Sequence, residues 1–257
     1  MDRTEPQDEQ IFAEVGAGVA TVVISNPGKR NAMTAGMWRA LPQLLEGLAH
    51  DPQVRALVLT GAGNTFCAGA DISSLREHAP GADEDPQSLA VRAEEALAAF
   101  PKPTLAAVRG FCVGGGCQLA AACDLRFAEE GASFGITPAK LGIVYPASST
   151  RRLVSLVGPA TAKYLLFSGE LTGTERALRT GLVDEVLPEG ELGKRVAEFT
   201  RVLTSRSQLT QAAAKEFAAG RTDRDTYWTE QARGSGDSAE GVAAFLERRP
   251  PHFTWTV

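Results

Sequence analysis

The sequence has no concentrated positive charge. Its 26 Lys and Arg against 31 Asp and Glu give a net charge of −5 at pH 7, and no Lys/Arg run stands out. A nucleic-acid groove or an anionic membrane surface needs clustered cations, so neither partner is expected. No apolar run approaches the ~20 residues of a membrane span. The first ten residues, MDRTEPQDEQ, are acidic and polar, unlike a signal or transit peptide. These absences together point to a cytoplasmic chain. Histidine is scarce, at 3, and the 4 cysteines (Cys67, Cys112, Cys117 and Cys123) form no CxxC pair and have no histidine close by. A zinc site needs four convergent ligands at short spacings. No metal is expected, and the cysteines read as buried small hydrophobes in a reducing compartment.

What is present is ordinary globular composition, 257 residues of which 44% are hydrophobic, enough for one large core. The segments IFAEV (11–15) and VATVVIS (19–25) read as strands joined by a glycine turn. Thr34 is placed to cap a helix in which Met37, Leu41, Leu44, Leu45 and Leu48 recur at helical spacing. RALVLTG (55–61), PTLAAVR (103–109), DLRFA (124–128) and EVLP (185–188) are further strands, with helices over 87–100 and 115–123. The stretch HAPGADEDP (78–86) is polar, rich in Pro and Gly, and is expected to be a mobile loop. Beyond about Val144 the pattern is nearly all helical. The predicted organisation is a flexible N-terminus (1–10), an α/β core (11–195) and a C-terminal helical region (196–257).

Two loops, NTFCAGADI (64–72) and GFCVGGG (110–116), share a plan: each follows an apolar strand, turns at small residues and leads into a helix. Small residues let backbone N–H groups come close to a ligand, and a helix N-terminus favours negative charge. Two such donors aimed at one point would make an oxyanion hole. Close packing of a helix on a strand is the other use of such glycines, and the pattern alone does not separate the two. Neither loop is a P-loop, because Cys117 stands where a lysine is required, and neither reads GxGxxG.

FCAGADI (66–72) and AAVRGFCVGGGCQLAAACDLRFA (106–128) resemble the two signature blocks of the crotonase superfamily, the enoyl-CoA hydratase/isomerase family. NPGKRNAM, FGITPAKLGIVY, TRRL, LTGTERALRTGLVDEVLP and EGVAAFLERRPPHF continue the resemblance in order, from about Ile11 to Phe253. It implies an α/β fold, the ClpP-like spiral of ββα units, with a C-terminal helical region that assembles a homotrimer or a hexamer made of two trimers. It implies an acyl-CoA thioester as substrate, with coenzyme A entering only as part of that substrate and no other cofactor. By position, the Ala70 and Gly115 amides would be the oxyanion donors, with Gly114 beside them. Arg30, Ala32, Ala68, Asp71 and Ile72 fall where the family contacts CoA, and Lys140 could meet a CoA phosphate.

The resemblance also exposes a departure. The two positions where the family's hydratases carry glutamates hold Gln118 and Pro138, and a third acid position aligns near Pro146. Neither an amide nor a proline ring takes a proton from water near pH 7, so that general-base route is closed. Gln118 could still orient a substrate carboxylate or a water. Tyr145 matches a tyrosine that malonyl- or methylmalonyl-CoA decarboxylases of the superfamily carry, although those enzymes can keep a glutamate at the Gln118 position and a histidine at that of Ala70. Decarboxylation is the expected chemistry, with a different acid/base or an inactive acyl-CoA binder as alternatives. Arg152 and Asp124 read as structural, and His50, His78 and His252 as surface residues. GASFG (131–135) fits GxSxG, with Asp184 and His252 following in the order of α/β-hydrolases. AEE before it and ITP after it are poor context for a nucleophile elbow.

Overall fold

Four times along the chain a strand, a second extended segment and a helix follow one another. The structure is a computed structural model that describes residues 9–72 and 86–257. Most of the N-terminal segment expected to be flexible, and all but the last residue of the loop expected at 78–86, lie outside the described residues. The chain opens with a hairpin of β1 (Gln10–Gly16) and β2 (Val19–Ser25), paired antiparallel with Gly16 opposite Val19. Ala17 and Gly18 both take positive φ, 51° and 80°, as a two-residue turn matched to strand twist requires.

From β2 the larger sheet continues in parallel through β3 (Ala56–Gly61), β4 (Thr104–Val108), β6 (Leu125–Glu129) and β9 (Glu185–Leu187). β3 and β4 are buried almost throughout, and both are runs of apolar residues without alternation, as central parallel strands should be. A smaller sheet lies alongside, made of β5 (Phe111–Val113), β7 (Ser133–Gly135) and β8 (Thr172–Gly173). Two isolated parallel bridges, Cys67 with Cys112 and Met33 with Ala70, extend the same pattern. The sequence reading missed this sheet, whose strands of two or three residues are too short to carry a period.

The helices that close the four turns are α1 (Ala35–His50), α2 (Pro86–Ala98), α3 (Gly115–Ala122) and α4 (Ala147–Ser168). Thr34 caps α1, its hydroxyl accepting from the Met37 amide at 3.4 Å, and Met37, Trp38, Leu41, Leu45 and Leu48 fill the core side. α4 bends where Gly158 (φ 74°) precedes Pro159. After α5 (Thr174–Thr180) and β9 come α6 (Leu192–Thr204), α7 (Gln208–Ala218), α8 (Asp225–Ser235) and α9 (Asp237–Glu247). The division expected at 195/196 falls inside α6. That helix packs Leu192, Val196 and Phe199 onto Val58, Leu105 and Phe127 of the larger sheet, so it belongs to the core.

All four cysteines are free and buried. Burial above all pushes the Cys67 and Cys123 thiols up to about 12, which keeps them neutral and makes them packing groups. Among the described residues no cluster of His, Cys, Asp or Glu could hold a metal ion, and no helix is long and apolar enough to cross a membrane.

The loop between β2 and α1 is tied to its neighbour by one side chain. Asn31 is 2% exposed and left-handed (φ 58°). Its Nδ2 donates to the Ala62 and Thr65 carbonyls at 2.9 and 2.6 Å, and its Oδ1 accepts from the Asn26 amide at 3.0 Å. Asn31→Ala should destabilise the fold by about 2–4 kcal/mol, through stranded buried groups and a strained φ. Asn31→Gly relieves only the strain and should recover about 1 kcal/mol. Denaturant titration of the two variants beside the parent checks both figures.

Candidate functional site

The site begins with how a parallel bridge aims peptide groups. The Met33 amide donates to the Gly69 carbonyl at 2.8 Å, and the Asp71 amide donates to the Met33 carbonyl at 2.9 Å. Both peptide groups flanking Ala70 are thereby turned toward Met33, so the N–H of Ala70 itself points to the opposite side. What lies there is the start of α3. A methyl group built on Gly115 would stand 3.6 Å from the Ala70 nitrogen, and one built on Gly69 would stand 3.6 Å from the Gly115 nitrogen. Gly115 is the first residue of α3, so its N–H has no partner within the helix. Among the described residues neither amide donates to any acceptor. Two unpartnered donors therefore stand close together, with the positive end of a helix behind one of them.

Packing and chemistry divide the glycines between them. Gly114 takes φ 54° and ψ −119°, a conformation closed to residues with a Cβ, and this turns the chain from β5 into α3. Gly116 is needed for close approach, because a methyl there would lie 2.4 Å from the Cys67 carbonyl oxygen. The close-packing reading of the glycine run thus holds at Gly116.

The two donors open onto a cleft of about 180 Å³ with predominantly apolar walls. Gly69, Ala70, Gly114 and Gly115 form one side, while Trp38, Ala68, Ile72 and Ala90 add apolar surface. Gln118, Pro138 and Tyr145 also line it, so the positions that would carry the missing acids do face this space. No Lys, Arg or carboxylate is among the described lining residues. Of the lining, Ile72, Leu141 and Ile143 are also exposed to solvent.

The remaining residues singled out from the sequence are distributed unevenly. Arg30 is exposed and left-handed, with its guanidinium 4.9 Å from the centre of the Phe111 ring, and its carbonyl accepts from the Ala68 amide at 3.0 Å. Ala32 is buried, its carbonyl held by Asn26 Nδ2 at 2.8 Å. Asp71 is also buried and pairs with Lys29 at 2.6 Å, so its carboxylate is engaged at the loop and not presented to the cleft. Lys140 extends its stem over Gly169, away from the cleft lining. The hydrolase pattern does not assemble, since Ser133 opens β7 after a turn and Asp184 is bound to Arg126 at 2.9 Å. Asp124 accepts from the Thr104 amide at 2.7 Å and pairs with Lys215 at 2.8 Å, a structural role as expected.

One residue behind the cleft was not found from the sequence. Glu94 on α2 is 1% exposed, with its carboxylate ion-paired to Arg152 and accepting from the Ser149 hydroxyl. Gln118 Nε2 donates to it at 2.5 Å and to Ser149 Oγ at 3.1 Å. Leu89, Ala93 and Leu97 form the buried stripe of α2, and Glu94 follows the cleft-lining Ala90 by four residues, on the same face. An acid inside an apolar helical stripe was the available signal.

Burial pushes the Tyr145 hydroxyl well above its usual value of 10, with Cys117 and Glu94 adding to the rise and Arg152 and Ser149 opposing it. Tyr145 therefore stays a hydrogen-bond donor at neutral pH. A raised acid pKa stabilises the fold below the unfolded value and loses that advantage above it. Stability should fall as pH rises past 10. Denaturant titrations across that range should show a shallower fall in Tyr145→Phe.

Comparison with known proteins adds the following. Residues 14–255 match the family model described as enoyl-CoA hydratase/isomerase. A crotonyl-CoA hydratase of Syntrophomonas wolfei is 34% identical over 95% of this chain and 98% of its own. A 2,3-dehydroadipyl-CoA hydratase of Escherichia coli is 33% identical over 91% and 94%. The crystal structure of an enoyl-CoA hydratase/isomerase family member superposes with a TM-score of 0.90 at 40% identity, covering 98% of this chain and 99% of that one. That of an enoyl-CoA hydratase from Bacillus anthracis gives 0.89 at 28% identity, covering 95% and 98%.

Proposed function

The chain belongs to the enoyl-CoA hydratase/isomerase family, and from that premise we propose that it decarboxylates a malonyl-type acyl-CoA thioester. The thioester oxygen sits between the Ala70 and Gly115 amides. The C–C bond to the carboxylate breaks, its electron pair moves into the thioester as an enolate, and CO₂ leaves. A proton then returns to Cα. No group has to remove a proton, and the only demand on the protein is to hold the enolate oxygen. No cofactor is needed beyond the CoA that the substrate carries.

The observation that carries this reading is the cleft lining, where Gln118 and Pro138 present no base to the space the two amides open onto. Apolar walls also make a bound carboxylate costly before reaction and not after it, which favours CO₂ loss. Tyr145, neutral and in the same lining, supplies an O–H for that carboxylate. The relatives named above are hydratases, and a hydratase or isomerase working through another acid/base is the second reading, supported by Glu94 behind Gln118. An inactive acyl-CoA binder is the third.

Assembly into a homotrimer or hexamer belongs to the same proposal. Phe245, Leu246 and Val242 on α9 and Phe167 on α4 are exposed to 83, 74, 59 and 76%, more apolar surface than a solvated face carries without use.

Incubation with methylmalonyl-, malonyl-, crotonyl- and 3-enoyl-CoA, followed by mass spectrometry, tests the reaction. CO₂ loss from a malonyl-type thioester is expected. Gly115→Pro deletes one donor at the first helical position, where the missing N–H breaks no helical bond although the added Cβ presses on the Trp38 ring at 2.9 Å, and should lower kcat by about 10²–10³. Tyr145→Phe should also slow the reaction. Rapid hydration of crotonyl-CoA would overturn the proposal, and binding without turnover of any thioester would establish the binder.

A further inference from the structure

Gln118 enters the cleft with its amide already oriented. Both N–H bonds of Nε2 are used, one on Glu94 Oε2 at 2.5 Å and one on Ser149 Oγ at 3.1 Å. Turning the amide over would set Gln118 Oε1 against a carboxylate that is held by Arg152, acceptor against acceptor. The orientation is thus fixed by chemistry. Oε1 has no hydrogen-bond partner among the described residues, yet it is absent from the buried unsatisfied atoms, so it keeps accessible surface while its residue lines the cleft.

We infer that Glu94 is a positioning residue that makes this part of the cleft a hydrogen-bond acceptor, selecting acyl groups, or a water, that present an O–H or N–H to Gln118 Oε1. Three observations carry it. Glu94 is held from three sides, by Arg152, Ser149 and Gln118, so it has one stable arrangement. Its carboxylate is too buried to touch a ligand itself, and acts through the amide in front of it. The surroundings are apolar, so an acceptor there discriminates strongly between a donor and a group that is not one.

The consequence for ligands is specific. A free carboxylate on the acyl chain cannot lie against Oε1 and must sit toward the Tyr145 hydroxyl. A hydroxyl at C3 of the acyl group, or a water next to Cα, can donate to Oε1. If the reaction is decarboxylation, that water gives one O–H to Oε1 and transfers its other proton to the enolate Cα. The hydroxide left behind is taken up by CO₂ as bicarbonate, which balances the step.

The inference rests on the reading that an acyl-CoA thioester binds at the Ala70 and Gly115 amides, and not on which reaction follows. Its test therefore uses binding alone. Calorimetric titration with 3-hydroxybutyryl-CoA and with butyryl-CoA gives a ratio of affinities in which the shared CoA contacts cancel. In the parent protein the hydroxylated ligand is expected to bind on the order of tenfold tighter, the value of one net hydrogen bond. Glu94→Gln would strand the Arg152 charge, so it is combined with Arg152→Gln, and thermal unfolding confirms that the pair of substitutions still folds. In that double variant residue 94 can donate as well as accept, the Gln118 amide is free to turn, and the ratio should fall to within about twofold of unity. Ser149→Ala removes one acceptor without altering charge and should lower the ratio part of the way.

A parent ratio near one would show that Oε1 does not meet the acyl chain, and an unchanged ratio in a folded double variant would show that Glu94 does not set it. Either result overturns the inference. Should the double variant fail to fold, an unchanged ratio in Gln118→Leu, which removes Oε1 and keeps the Glu94–Arg152 pair, does so instead. Failure of either ligand to bind at all is a different result, and would overturn the thioester site itself.

Discussion

The proposed function depends on the alternation of peptide groups along a parallel β-bridge. Where Met33 pairs with Ala70, the bonded peptides on either side of Ala70 leave its own N–H facing away from the partner. The next turn of the chain, one bridge further along through Cys67 and Cys112, delivers the start of α3 to that same side. Two donors thus meet without any side chain, and their separation is set by strand spacing. Such a pair needs no particular side chain to donate, and it leaves the rest of the cleft free to change its chemistry.

Gln118 and Pro138 in the lining use that freedom. Pro138 offers no polar hydrogen and no charge, and Gln118 offers one fixed oxygen whose orientation is decided by groups behind it. A buried ion pair costs desolvation, and the cluster of Glu94, Arg152 and Ser149 is better understood as a device for fixing geometry than as a source of stability. On this reading the cleft offers donors through two amides and an acceptor through Gln118. The walls around them are apolar, which makes both count for more than they would in water.

Much of this was legible in the sequence. The long parallel strands β3 and β4, the Thr34 cap and the apolar stripe of α1 all follow from residue pattern, and the two glycine loops stand where expected. The smaller sheet was not legible, because β5, β7 and β8 have too few residues for alternation to show. Asp71 and Lys140 illustrate a different limit. Position along a motif places both among expected CoA contacts, while the pairing of Asp71 with Lys29 and the packing of Lys140 over Gly169 come from tertiary contacts that the motif does not show. Glu94 was hidden for the opposite reason, since an acid on a helix is usually solvated and only the tertiary contacts of α2 bury it.

The most direct test of the central claim is the infrared frequency of the thioester carbonyl in a bound acyl-CoA, isolated by ¹³C labelling at that carbon. Hydrogen bonding from Ala70 and Gly115 should move it below its frequency in water, and Gly115→Pro should return it most of the way while the ligand remains bound. A bound carbonyl that absorbs as it does in water, in parent and variant alike, would mean that the two amides do not hold the thioester.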